Sequence, residues 1–212
     1  PIGNEDDGKF GDFVEDKSSV SPIEQILKSD LKEQIDDILE QLNDRERTVI
    51  RMRFGLLDDE SDRTLEEIGK ELNITRERVR QLEKAILARL KSAAADGKIP
   101  AISDAERLII RDLSENGRVG RVQDVANRLS NSKASNDTRA HIAFVGELSA
   151  RFIIINETDN YYQGISIAEN GNEKKIRSDV DAIVKTIKKH GQPIDVENLH
   201  GVLTFESPAQ VR

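Results

Sequence analysis

The sequence predicts a mainly helical protein: a helix-turn-helix bundle, then a winged helix of three helices plus a β-hairpin, then a truncated second copy of that winged helix. Three observations carry this. Residues 64–92 hold two helix starts separated by a tight turn, residues 109–129 recur without gaps as residues 183–203, and apolar runs at 152–155 and 161–165 flank a polar turn. A chain of 212 residues that is 36% apolar suits several modest cores. It has no cysteine, hence no disulfide framework and no thiolate metal site. No apolar run approaches the length of a membrane span, so a cytoplasmic protein with no membrane contact is expected. The Asn-X-Thr triplets at Asn73, Asn136 and Asn156 are then chance matches.

Residues 1–20 are rich in Gly, Asp, Glu and Ser, with Phe10, Phe13 and Val14 as scattered apolar anchors, which predicts a flexible acidic linker. The net charge of -8 arises over residues 1–42. Residues 1–42 hold 12 Asp and Glu against 4 Lys, and the remaining residues balance at 28 against 28. Ser21-Pro22 opens an ordered domain over 21–92. Leu31, Ile35, Ile38, Leu39 and Leu42 make the stripe of an amphipathic helix closed by Asn43. Asn43 with Glu46 is a capping box for a second helix, in which side chain and backbone satisfy each other's orphan groups. Val49, Ile50 and Phe54 face in, Arg45, Arg51 and Arg53 face out, and Gly55 ends the helix.

Thr64 with Glu67 is another capping box, and Leu65, Ile68 and Leu72 share one face of the helix it starts. Gly69 leaves room for a second backbone, and Asn73 tolerates the left-handed turn. Thr75 caps a fourth helix with Val79, Leu82, Ile86 and Leu90 inward and Arg76, Glu77, Arg78, Arg80, Gln81 and Lys84 outward. From Arg76 to Lys91, six basic side chains oppose Glu77 and Glu83. A local positive face therefore exists on an acidic chain of pI near 5.1. In a major groove Arg can grip guanine with two bonds, Glu can accept from cytosine, and Gln can bond adenine, while flanking arginines meet phosphate. The plain alternative is a solvated charged face on a helical hairpin.

The runs Leu42-Asn-Asp-Arg-Glu-Arg-Thr-Val-Ile-Arg-Met-Arg-Phe-Gly55, Thr64-Leu-Glu-Glu-Ile-Gly69 and Thr75-Arg-Glu-Arg-Val-Arg-Gln-Leu-Glu83 resemble region 4 of bacterial primary sigma factors. Ile2-Gly-Asn-Glu-Asp-Asp7 and Gly11-Asp-Phe-Val-Glu-Asp16 are similar to the acidic linker before that region, so the resemblance covers residues 1 to about 92. It implies a transcription initiation protein that binds the −35 element of double-stranded promoter DNA and docks on RNA polymerase core, at the beta flap and in the active-site cleft. It implies base contacts by Arg76, Glu77 and Gln81. Phosphate contacts are implied for Arg45, Arg53, Thr64, Leu65 through its backbone, Arg78 and Arg80, and Lys84 is expected to be a phosphate contact with them. Asp12, Phe13, Glu15 and Asp16 would lie in the finger that approaches nucleic acid in the polymerase cleft. Two departures stand out: the acidic loop 56–63 is one residue longer than the usual spacing, and Ala85 stands where relatives often carry Lys or Arg.

Residues 93–103 read as a joint rich in Ala, Gly and Pro. Beyond it lies the repeat at an offset of 74, in which Ile109, Gly117, Val122 and Leu129 recur as Ile183, Gly191, Val196 and Leu203. The first copy, 104–168, is expected to have a helix ending at Gly117, a short extended link, a second helix, a third over 136–150, and a hairpin from Phe152–Ile155 and Tyr161–Ile165. Its third helix offers Arg139 and His141 outward, beside Asp137 and Glu147, and a protein partner for the tail is one expectation. The second copy, 174–212, reaches Ser207-Pro208, a helix start, which leaves Ile183, Ile187, Leu199 and Leu203 partly uncovered. Both ends are expected to continue in a longer protein.

No enzyme is expected. His141, His190 and His200 lack metal spacing, no phosphate-binding glycine loop exists, and Asp6-Asp7 and Asp58-Asp59 sit in loops, so neither cofactor nor metal is implied. Two alternatives stay open: a polymerase-binding adaptor or regulator that reuses the region 4 fold, and a freestanding DNA-binding repressor.

Overall fold

The computed structural model describes residues 31–56, 62–131 and 133–194. Four helices form the first unit: α1 (Leu31–Glu40), α2 (Asp44–Phe54), α3 (Leu65–Glu71) and α4 (Arg76–Ala95). Ile35, Leu39 and Leu42 of the predicted α1 stripe are buried. Arg47 donates to the carbonyls of Leu39, Glu40 and Leu42 at 3.1, 3.2 and 3.3 Å, which satisfies acceptors that the end of α1 leaves without intrahelical partners. Both capping boxes form, at Asn43/Glu46 and at Thr64/Glu67, and Gly55 ends α2 in the left-handed region at φ 65°.

The turn between α3 and α4 depends on two residues. Asn73 adopts φ 54°, and the Ile74 N–H donates to the Gly69 carbonyl at 2.9 Å. A Cβ on Gly69 would sit 2.8 Å from the Ile74 carbonyl oxygen, a backbone atom that cannot swing aside. Gly69→Ala is therefore expected to cost about 1–3 kcal/mol by overpacking, read as a lower urea midpoint with an unchanged slope. A midpoint equal to that of the parent chain would refute the close approach.

The joint is shorter than the sequence predicts. Ser92-Ala-Ala-Ala95 continue α4, since alanine is the best helix former, and Pro100 takes the first turn of α5 (Pro100–Glu115), where its missing N–H costs nothing. Only Asp96–Ile99 connect them, turned by Gly97 at φ 70°.

The second unit is a winged helix. α5 is followed by β1 (Val119–Arg121), α6 (Val122–Leu129), α7 (Asn136–Leu148), β2 (Phe152–Ile155) and β3 (Gly164–Ile167). The sheet is antiparallel in the order β1-β3-β2, with Ile154 opposite Ile165 and Gly120 opposite Ile165 on the other side. The extended link after Gly117 thus becomes an edge strand. The second hairpin strand starts later than Tyr161: Tyr161 is held in the loop, its hydroxyl bonded to Asp181, while Tyr162 is exposed and stacked under the Arg121 guanidinium. Side-chain anchoring outweighs the β-propensity of the two tyrosines. Within the unit, Arg128 of α6 grips Asp112 of α5 with two bonds of 2.8 and 2.7 Å.

α7 departs most from expectation. Its sequence offers Arg139 and His141 to solvent, yet His141 is buried and bonded through Nδ1 to the Asp137 carbonyl oxygen. Arg139 is bonded to Gln163 and to Asp62 of the first unit, both at 2.9 Å. Almost every residue from Thr138 to Leu148 is buried, because α5, α6 and β2 pack on one side of α7 and α2 and α4 on the other. Phe54 of α2 meets Phe144 of α7 edge to face at 5.0 Å. One apolar core consequently runs through both units, from Ile35 and Ile86 to Ile142 and Ile165.

The last described helix, α8 (Glu173–His190), ends at Gly191 with φ 70°, as α5 ends before Gly117 with φ 95° one repeat earlier. The two helices coincide to within about a residue at the offset of 74. Ile176 is buried, Ile183 is half-buried, and Ile187 is 42% exposed. Leu199, Leu203 and the rest of the second copy from residue 195 onward lie outside the described residues.

Candidate nucleic-acid interface

The start of α4 is placed by the Thr75 cap, whose hydroxyl accepts from the Arg78 N–H at 3.2 Å, and by Val79 and Ile86 buried behind it. With that face fixed inward, Arg76, Glu77, Arg78, Arg80, Gln81 and Lys84 all stand exposed. The structure gathers all three residues expected to read bases on the first two turns of one helix.

These side chains bond to one another. Arg80 donates to both oxygens of Glu77, at 2.9 and 2.7 Å. Gln81 also donates to Glu77, and Arg78 donates to Gln81, each at 3.4 Å. The Arg80 hydrogen bonds hold the Glu77 carboxyl below the usual carboxylate range and raise the Arg80 guanidinium. At neutral pH Glu77 is thus an ionised acceptor, the state needed to take a hydrogen bond from a cytosine amino group. All of these bonds lie at the exposed surface of the helix.

The expected phosphate set divides by environment. Arg45 is exposed, with one long bond of 3.4 Å to the Leu72 carbonyl. Arg53 is half-buried and acts as a strut, donating to Glu83 of α4 at 2.9 Å and to the Arg63 carbonyl at 3.3 Å. Glu83 belongs to α4, so Arg53 ties α2 to α4. Thr64 spends its hydroxyl on the capping box, accepting from the Glu67 N–H at 3.3 Å and donating to the Glu67 carboxylate at 2.8 Å. The Leu65 N–H belongs to the first turn of α3, where helical N–H groups lack intrahelical partners. Asp12, Phe13, Glu15 and Asp16 lie outside the described residues.

An open cleft of about 980 Å³ runs along this face. Arg53, Thr64, Leu65, Arg76, Arg80 and Lys84 line one wall; Arg139, Glu147, Asn156, Glu157 and Gln163 of the winged unit line the other. Glu77 and Gln81 lie outside it. Among the described residues, the ion pairs Arg139–Asp62 at 2.9 Å and Lys91–Glu147 at 3.7 Å cross between the units. Local sequence patterns miss these pairs because the partners are 77 and 56 positions apart. Among the described residues no group of three or more His, Cys, Asp or Glu is placed to hold a metal ion, and no helix is long and apolar enough to cross a membrane.

Comparison with known proteins agrees with this geometry over one part of the chain. The family model for sigma-70, region 4, matches residues 38–92. The RNA polymerase sigma factor RpoD of each of two Helicobacter pylori strains is 71% identical over 92 residues, which is 43% of this chain. The chain spans 14% of the length of these relatives. The matched residues take in α2, α3, α4 as far as Ser92 and the turn between the last two, together with every exposed side chain expected to face DNA.

Proposed function

Starting from a sigma-70 region 4 segment at residues 38–92, we propose that the chain is part of a transcription initiation factor that binds the −35 element through α4 and docks on RNA polymerase. The observation that carries this reading is the placement of Arg76, Glu77 and Gln81. They are exposed on the first two turns of a helix held by a capped, glycine-dependent turn, the arrangement by which a helix-turn-helix presents base-reading side chains. Arg78, Arg80, Lys84 and Arg45 accompany that set as phosphate contacts, and Arg53, Thr64 and Leu65 extend it along the same wall of the cleft.

The finer parts of the reading follow the same resemblance. Region 4 would meet the beta flap, and the acidic segment with Asp12, Phe13, Glu15 and Asp16 would enter the active-site cleft of a cytoplasmic polymerase. The factor itself carries out no catalysis. The winged unit and the following copy form added domains from about residue 104 onward.

Salt dependence tests the electrostatic core of the proposal. Binding through about four to six phosphates gives a log–log slope of affinity against salt of roughly -4 to -5. Equilibrium titrations with a duplex carrying the hexamer should show that slope. A slope near zero would instead favour an adaptor that holds polymerase without reading promoters, and operator binding with no polymerase affinity would favour a repressor.

A further inference from the structure

We infer that the winged unit contacts DNA through its flank, with the cleft between α4 and the α7–hairpin wall seating the sugar–phosphate backbone of one strand. This rests on the proposed reading of α4 as the promoter-reading helix. Four observations lead to it. The third helix of the winged unit, which reads the groove in many such folds, is unavailable here because α7 is buried on both sides. The unit's side of the cleft is mostly polar: Asn156, Glu157 and Gln163, with Arg139 held largely buried by its bonds to Asp62 and Gln163, beside Glu147 and two alanines.

The wall is also fixed in place. Phe54 against Phe144, the Arg139–Asp62 pair and a core continuous through both units leave it no freedom to swing clear. A duplex approaching Arg76 therefore meets the wall. The cleft, at about 980 Å³, is the size of a small-ligand site and admits only the edge of a duplex. A single backbone strand matches that space.

Charge then decides whether the wall attracts or repels that strand. Four of the acids lining the cleft are already paired within the protein: Asp62 with Arg139, Glu66 with Lys70, Glu83 with Arg53 and Glu147 with Lys91. The exposed cations Arg76 and Lys84 remain on the α4 side. Glu157, exposed on the hairpin loop, is then the carboxylate closest in role to a brake.

The experiment compares the full chain with Glu157→Lys, Arg139→Ala and a control, Glu115→Lys, at an exposed site on α5 away from the cleft. Each is titrated against a hexamer-bearing duplex over a range of salt. Glu157→Lys is expected to steepen the log–log slope by about 0.9 and to raise affinity roughly five- to tenfold at 0.1 M salt. Arg139→Ala should flatten the slope and weaken binding, and Glu115→Lys should leave the slope where it was. Equal shifts for Glu157→Lys and Glu115→Lys would overturn the inference, leaving only a long-range charge effect. Tighter binding by Arg139→Ala would also overturn it, by showing the wall to be a barrier. Failure of the unaltered chain to bind the duplex would instead defeat the promoter reading, and this inference with it.

Discussion

Arg76→Ala is expected to weaken binding to the specific hexamer by about 1–3 kcal/mol and to relax choice at one base pair, with little change on unrelated DNA. The side chain is exposed at the first position of α4, and its neighbours Glu77, Arg80 and Gln81 are bonded among themselves. No bonded neighbour is in a position to replace a bidentate grip on guanine. The measurement is affinity across a panel of single-base hexamer variants. A uniform loss on every sequence would assign Arg76 to phosphate rather than to a base.

The second large effect belongs to packing. Phe144→Ala is expected to destabilise the protein by about 3–5 kcal/mol, the range for removing a buried ring. Phe144 is 1% exposed and lies against Phe54, so the loss falls on both units together. Calorimetry should show one transition moved to lower temperature. Two transitions, with the first unit unaffected, would mean that the continuous core does not couple the units.

Local signals in the sequence were reliable where local chemistry decides the outcome. Asn43/Glu46, Thr64/Glu67 and Thr75 cap their helices because each cap involves residues three apart. Gly69 and Asn73 mark the tight turn because sterics at single positions permit little else there. The repeat was legible in its first helix, where Gly117 and Gly191 both take positive φ. Tertiary contacts were not legible. α7 carries charged residues at Asp137, Arg139 and Glu147, and its pattern does not announce that partners on two sides will bury it. Arg53 reads as an outward phosphate ligand, yet the Glu83 carboxylate and Arg63 carbonyl that claim it arrive only when α2 and α4 pack together. The strand after the wing begins at Gly164 and not at Tyr161 because α8 supplies Asp181 as an anchor twenty residues away.

The unbroken length of α4 makes it a ruler. Its first turns carry Arg76, Glu77 and Gln81, and its far end carries Leu90, buried in the core that continues into the winged unit. Each inserted residue in a helix turns everything beyond it by about 100° and advances it by about 1.5 Å. A single insertion between Lys84 and Leu90 would swing the winged unit to another side of the exposed face that carries Arg76, Glu77 and Gln81, whereas four would restore its bearing to within about 40° at a displacement of about 6 Å. The angular phase between the two modules is thus written into residue count along one helix. Exposed positions in that span, such as Ala88 and Arg89, tolerate substitution, whereas changes at the core residues Ile86 and Leu90 and single insertions or deletions are disruptive.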